Sequence, residues 1–509
     1  MTNKGTAAIG YSRPISLNRL RTAAALMGVI GLVFSVGCGS ARTMSAATER
    51  RVAYVGSATI APATALRVRL ELSRPVAAVT YFLDGKPLVT ATASPYSVPA
   101  DTWRTRPGKH LMTVEAVTVD NHRYRSERRA VTVRSATQPT IVASPRRNWH
   151  VAQRALAHGH AVVRLLPGRY GASGVQLRSG DRLIADQGAV LVAPSGGYDS
   201  VLTISGADIT LDGVAIDGSG PGRGLGQAIV VQHARDVRIR QVRVGRTRNE
   251  GVYMWGSLRN ISLSDSSITG NGTAGAGVVA GVADAADVSV VRTRIAGFRE
   301  FGITFSQSAF NATRQGLRSV ALDNEITDID ERTNTDGRSK GGIWTGGPQA
   351  RILGNSIART GWDGIETVGS STGDSVVGNS ISDTPTGIYV EHSTNDSIFA
   401  ANTIRRTRHG INVEWRYGGV GSLRNRFSEN RISSSETAIF VDAGADQNVI
   451  SHNRIIGGGR PAIVLQGSSK NDVHHNRACG APGPVIGLRD VNVPAVANDL
   501  TANVTASNC

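Results

Sequence analysis

From Ile229 onward one phrase recurs in the chain: a small residue, an aliphatic, then alternation. It stands at Ala228-Ile229, Gly251-Val252, Gly277-Val278, Gly302-Ile303, Gly342-Ile343, Gly364-Ile365, Gly387-Ile388, Gly410-Ile411, Ala438-Ile439, Ala462-Ile463 and Val485-Ile486. The steps run from 22 to 28 residues, with one of 40 between Ile303 and Ile343. A repeat of this length without helical periodicity is one coil of a parallel β-solenoid, each coil stacking inward Ile and Val on the coil below. Asn recurs in the turns, as in Gly354-Asn355, Gly378-Asn379 and Ala401-Asn402. Asn tolerates the left-handed conformation, and its amide can ladder from coil to coil. Leucine-rich repeats have a similar period, but the Leu spacing they need is absent. With 59 Gly and 5% aromatics, a helical bundle is disfavoured.

The start of this array reads as a cap. Ala152-Gln153-Arg154-Ala155-Leu156-Ala157 suits a short amphipathic helix, followed by Val162-Val163-Arg164-Leu165 and Pro167-Gly168-Arg169-Tyr170. A solenoid end must be covered, because it exposes unpaired strands and open core. Over 148–509 the pattern resembles the right-handed parallel β-helix of the pectate lyase superfamily. That resemblance implies the fold. The superfamily spans lyases, hydrolases, epimerases and non-enzymatic surface proteins, so it fixes no activity.

Two segments precede the array. Lys4, Arg13, Arg19 and Arg21, then the mostly apolar Ala23 to Gly37, have the build of a signal peptide over 1–37. Ser35-Val36-Gly37-Cys38 resembles a bacterial lipobox, which implies lipidation of Cys38 and a tether over 38–50. Export permits Cys479 and Cys509 to pair as a disulfide. Residues 51–135 alternate as short strands, with Val79 to Leu83 running into the hairpin signal Asp84-Gly85. Asp84-Gly85-Lys86-Pro87, Pro95-Tyr96, Asp101-Thr102 and Pro107-Gly108-Lys109-His110 resemble bacterial immunoglobulin-like modules, implying a β-sandwich that spaces or binds. A linker is expected over 136–147. The whole chain therefore reads as all-β: an Ig-like β-sandwich, then a right-handed parallel β-helix of about eleven or more coils.

Two columns of the solenoid should point outward if the aliphatic of each repeat points in. The first runs Val230, Tyr253, Val279, Thr304, Trp344, Glu366, Tyr389, Asn412, Phe440; the second runs Gln232, Trp255, Gly281, Ser306, Gly346, Val368, Glu391, Glu414, Asp442. An inert face would carry Ser, Thr, Asn and Lys, whereas this one carries aromatics and carboxylates. Aromatic faces stack on sugar rings, and carboxylates bond hydroxyls, bind cations or move protons. Glu391, Glu414 and Asp442 fall on consecutive coils about 4.8 Å apart. Like charges at that spacing need a cation, a nearby Arg or a retained proton. Calcium is the candidate cation, and no cofactor is otherwise specified. Carboxyls on adjacent coils approach the ~5 Å separation of retaining glycosidases.

The long step inserts Asn334-Thr335-Asp336-Gly337 and Lys340. With Trp362-Asp363-Gly364 and Arg408-His409-Gly410 this order resembles the polygalacturonase-type hydrolase signature, which implies acid and base aspartates and an assisting histidine. One Asp of that family's pair is missing, and His409 falls two coils after Asp363 where the family has one. Catalysis is accordingly expected among Asp336, Asp363, Glu366, Glu391, His409 and Glu414. Sugar contacts are expected from Tyr253, Trp255, Trp344, Tyr389 and Trp415, with Arg416 holding an acidic group.

Five of the 56 basic residues are Lys, the rest Arg, and the net charge is +17. This suits an acidic polysaccharide and an anionic envelope; no nucleic-acid motif accompanies it. The Met- or His-rich composition expected of a copper-handling solenoid is absent. The expectation is an exported, lipid-anchored monomer acting on polysaccharide as hydrolase or lyase. The alternative is a non-catalytic envelope-binding scaffold.

Overall fold

The computed structural model describes residues 52–506 apart from 136–140, 173, 196–198, 220–224, 273–274, 283, 306–316, 330–340, 370, 392, 415–420, 458–460, 481–483 and 490–497. The signal segment, Cys38, Asp336, Trp415, Arg416 and Cys509 therefore lie outside the described residues.

Alternation dictates the first region. Strands Val76–Leu83 and Lys86–Ala91 form a hairpin whose two turn residues, Asp84 and Gly85, both have positive φ. This is the geometry that matches strand twist, and it favours Asp-Gly. Gly108–Thr118 pairs antiparallel with Val76–Leu83 on one side and with Arg129–Val133 on the other. Tyr81, Met112, Val114 and Val131 fill the core beneath this sheet.

The second region is a parallel solenoid of about 12 turns, each strand pairing with its counterpart one coil away. Its first strand, Ile141–Ala143, pairs parallel with Val162–Leu165, so the array begins inside the stretch expected to be linker. The helix Trp149–His158 buries Trp149, Ala152 and Leu156 against the open end. Within the coils the aliphatics stack in register, as in Ile343, Ile365, Ile388 and Ile411. Phe399 and Phe427 add a stacked pair at 5.0 Å. The glycine before each aliphatic is a packing requirement: a Cβ on Gly364 would sit 2.4 Å from Ile381 Cγ2 and 2.6 Å from the Gly387 carbonyl.

Two polar devices hold the corners. Asn324, Asn355, Asn379, Asn402, Asn430, Asn453 and Asn476 form a buried ladder. The amide oxygen of Asn402 accepts from the backbone N–H and side-chain amide of Asn379, at 2.9 and 3.0 Å. Such ladders satisfy backbone groups that the turn leaves unpaired. At other corners an Asp and an Arg with positive φ stack on adjacent coils and clamp bidentately: Asp265–Arg292, Asp287–Arg318, Asp328–Arg359, Asp383–Arg406 and Asp396–Arg424, each with contacts of 2.6–3.0 Å.

The first region lies along the solenoid. Ala77, Ala78 and Val117 pack against Val291, Val320, Leu322, Leu353 and Val377. The buried Arg240 joins Asp101 at 2.9 Å and Asp212 at 3.0 Å, closing the contact with paired charge.

Candidate functional site

The strand Asp363–Thr367 sits between Gly341–Thr345 and Thr386–Val390, and the next coil adds Thr403–Val413. Register puts Trp344, Glu366, Tyr389, Asn412 and Phe440 in one column, and Asp363, Thr386 and His409 in another. Glu391, Glu414 and Asp442 follow the same strands, each backbone N–H donating to the coil before.

The column expected to be open is in large part covered. Val230, Val279, Thr304, Glu366, Tyr389 and Asn412 are buried, while Tyr253, Trp344 and Phe440 are half-buried. Alternation fixes which side of the sheet a residue takes, not whether something lies over it. Tyr389, expected to stack a sugar, is buried, and its hydroxyl donates to Glu414 Oε2 at 3.0 Å. Asn412 Nδ2 donates to Glu414 Oε1 at 2.7 Å. Both oxygens of Glu414 thus act as acceptors on a half-buried carboxylate.

Asp363 is 0% exposed. Burial, then Glu366, Glu391 and Glu414, push its carboxyl well above the usual carboxylate range, while Thr386 pulls the other way. Four carboxyls from three successive coils therefore share one field, and the shift favours the acid form of Asp363. His409 is half-buried; burial and the neighbouring Arg408 lower its pKa. Arg408 Nε donates to His409 Nε2 at 3.1 Å, so that ring nitrogen is the basic one.

Farther along the same face Trp255 is exposed, with His233 edge-on at 5.0 Å. A shift in register between Met254 and Trp255 pairs Trp255 with Val282, not with the expected Gly281. Glu250, which the sequence reading missed, lies three residues before Tyr253; burial raises its pKa, and Gln227 Nε2 donates to it at 2.9 Å. The structure thus gathers Asp363, Glu366, Glu391 and Glu414, with His409 beside Glu414 and Arg408. It sets Tyr253 and Trp255 in a separate stretch of the face. Cys479 is disulfide-bonded. Among the described residues no group of three or more His, Cys, Asp or Glu could hold a metal ion.

The family model for the periplasmic copper-binding protein NosD matches residues 234–415 and 349–504, more than half of the chain. The chain belongs to the NosD family. NosD proteins are periplasmic right-handed β-helix proteins, in keeping with an exported chain. The family's description names copper binding, which the His and Met content of this chain did not suggest. No curated protein matches this NosD-family chain. Similar solved structures include the A-module of the Azotobacter vinelandii mannuronan C-5 epimerase AlgE6, with 14% identity, TM-score 0.42, and 70% of this chain and 94% of that one covered. Another is the Yersinia enterocolitica family 28 exopolygalacturonase, with 11% identity, TM-score 0.38, and 89% and 98% covered. The catalytic domain of a family GH87 α-1,3-glucanase gives 12% identity, TM-score 0.43, and 86% and 91% covered. Those activities belong to those proteins.

Proposed function

We propose that this exported protein acts on an acidic polysaccharide along the face that carries Glu391 and Glu414, as a hydrolase or a uronate lyase. One observation carries the reading: Asp363 is a fully buried carboxyl whose pKa is raised well above the usual carboxylate range, by burial first and by Glu366, Glu391 and Glu414 after it. Several corner carboxylates of this fold are clamped to Arg, whereas Asp363 has other carboxylates among the causes of its raised pKa, an arrangement that suits proton transfer. Asp363 acts from beneath, supplying the proton that Glu391 or Glu414 carries to the glycosidic oxygen. Trp255 and Tyr253 bind more distant sugar units, and the exposed Arg408 faces the acidic groups. An Ig-like reading of the first region and a lipid anchor at Cys38 would place this face at the cell envelope.

The test is turnover of acidic and neutral polysaccharides by the full chain, with new reducing ends and the ultraviolet absorbance of new C=C bonds read together. Reducing ends alone mean hydrolysis, and absorbance as well means elimination. Silence across the panel with binding retained sinks the enzyme reading in favour of a non-catalytic scaffold.

Binding of a transition metal, the function named in the family's description, is a second reading. The donor set fits divalent copper better than cuprous copper. Met112 and Met254 are fully buried in apolar cores and Cys479 is disulfide-bonded, so no soft sulfur is offered by these described residues. Among the described residues no group of three or more His, Cys, Asp or Glu supplies this reading with a site.

A further inference from the structure

A cavity of about 440 Å³ lies where the first region meets the solenoid. That volume falls within the range of small-molecule sites, which favour the seams between domains. Its two walls differ in character. The first region supplies the end of the strand Lys86–Ala91 and the turn beyond it, with Ala93 and Pro95 exposed and Val98 and Pro99 half-buried. The solenoid supplies four successive coils, through Asp208, Asp236, Asn260 and Asp287 at the corners and Arg238, Ser262 and Ser289 two residues farther on.

Local rules place these groups. Each of the four corner residues has a φ between 53° and 56°, a conformation that Asp and Asn accept more readily than other side chains. Parallel register then sets Arg238, Ser262 and Ser289 in one row. Acceptors repeat at the coil spacing of about 4.8 Å, a span that hydroxyls on one sugar ring can bridge. Asn260 Nδ2 donates to Asp236 Oδ1 at 2.8 Å, which leaves Asp236 Oδ2 and Asn260 Oδ1 to accept from a ligand. Both residues are exposed.

Charge narrows the class of ligand. Asp208 accepts from Arg182 at 2.5 Å and from Arg238 at 3.4 Å. Asp287 is clamped by Arg318 at 2.8 and 2.7 Å. The remaining carboxylate, Asp236, lies in the field of Arg238. Three carboxylates thus stand against three guanidiniums, and the cavity carries no net charge to attract an acidic ligand.

We propose that this cleft binds an uncharged sugar, with the apolar face of the ring on Pro95, Val98 and Pro99 and the hydroxyls on Asp236, Asn260 and Ser262. The site shares no residue with the cluster of Asp363 and Glu414, and it stands whether or not that face is catalytic. A ligand held by both walls joins the first region to the solenoid, so binding raises the melting temperature as well.

The full chain is titrated with glucose, N-acetylglucosamine, maltose and cellobiose, and with glucuronate and galacturonate, by saturation-transfer NMR and by thermal melts. Neutral sugars should bind and shift the melt upward, and the uronates should bind more weakly. Asn260→Gly keeps a residue that accepts the left-handed corner but removes the amide, and should weaken neutral-sugar binding about tenfold. Asp236→Asn keeps corner and shape but leaves the cleft with a net positive charge. It should weaken the neutral sugars and bring the uronates level with them or above, a change of selectivity that a merely structural Asp236 would not produce. Binding that survives both substitutions and is lost in Trp255→Ala belongs to the other face and overturns the cleft. A wild-type chain that takes none of the neutral sugars, or that prefers the uronates through Asp236 and Asn260, overturns it too.

Discussion

Two sets of carboxylates in this solenoid stand one coil apart along the axis and live differently. At the corners Asp328, Asp383 and Asp396 each receive two hydrogen bonds from the guanidinium one coil on, which holds their carboxyls below the usual range, Asp383 at about 2. On the face, burial first and then Glu366, Glu391 and Glu414 push Asp363 the opposite way. Coil stacking brings ionisable residues together in both places. The corner sets a cation against each anion, whereas on the face burial and neighbouring carboxylates favour the acid form of Asp363. The largest test of this contrast is catalytic. Glu414→Gln and Glu391→Gln should each lower turnover on the responsive polysaccharide by about 10²–10⁴-fold, while Asp383→Asn leaves it within about twofold. The wild-type rate should fall as pH rises through the elevated pKa of Asp363, because the acid form is the one required, and Asp363→Asn should remove that limb. Equal losses at face and corner would erase the distinction.

Much of the fold was legible because each repeat encodes the same physical need. Glycine appears where a Cβ would strike the next coil, Ile where the core stacks, and Asn where a corner N–H lacks a partner. The register of Trp344, Glu366, Tyr389 and Asn412 followed from those anchors. The cover over that column was not legible, since it depends on what lies outside the repeat. Charge was read too coarsely. A net +17 suggested an anionic partner, yet a series of Arg is committed to corner clamps. The signal was present, because Asp383 and Arg406, or Asp396 and Arg424, are separated by one local coil length. The same arithmetic joins His452 to His475, whose rings stack at 5.1 Å on successive coils.

Asp374 sharpens the contrast by separating burial from like-charge crowding. It occupies the ladder position that Asn425, Asn448 and Asn471 hold farther along, and accepts from the Ala350 N–H at 2.8 Å. Its pKa is pushed up to about 7 by burial, with no other carboxylate contributing. A raised pKa alone is therefore not a mark of function here. Because the folded pKa exceeds the unfolded value, Asp374 is neutral in both states at low pH. Its contribution to stability is lost as pH rises through the folded pKa. Asp374→Asn should stabilise the protein by up to roughly 4 kcal/mol at pH 8 and by little at pH 4, read from denaturant melts at both values, with polysaccharide turnover unchanged. A loss of turnover would assign Asp374 to the face and blur the two classes.

The smallest effect tests the corner itself. Arg359 and Asp328 are bonded through two contacts, at 2.6 and 2.9 Å, but both side chains are well exposed, at 47% and 39%. Water and salt screen such a pair, and fixing a long side chain offsets part of the attraction, so Arg359→Gln should cost only about 0.5 kcal/mol or less. The sign with pH follows from the depressed pKa of Asp328: the contribution is present above the unfolded carboxyl pKa and disappears as pH falls through the folded one. Melts at pH 7 in low and high salt, and again near pH 2.5, should show the difference shrink in both directions. Several kcal/mol at pH 7, indifferent to salt, would mean that the clamps bear the fold and that the Asn ladder is secondary. The Asn ladder is buried along its length, and each amide satisfies backbone groups that water cannot reach, so the weight is expected there.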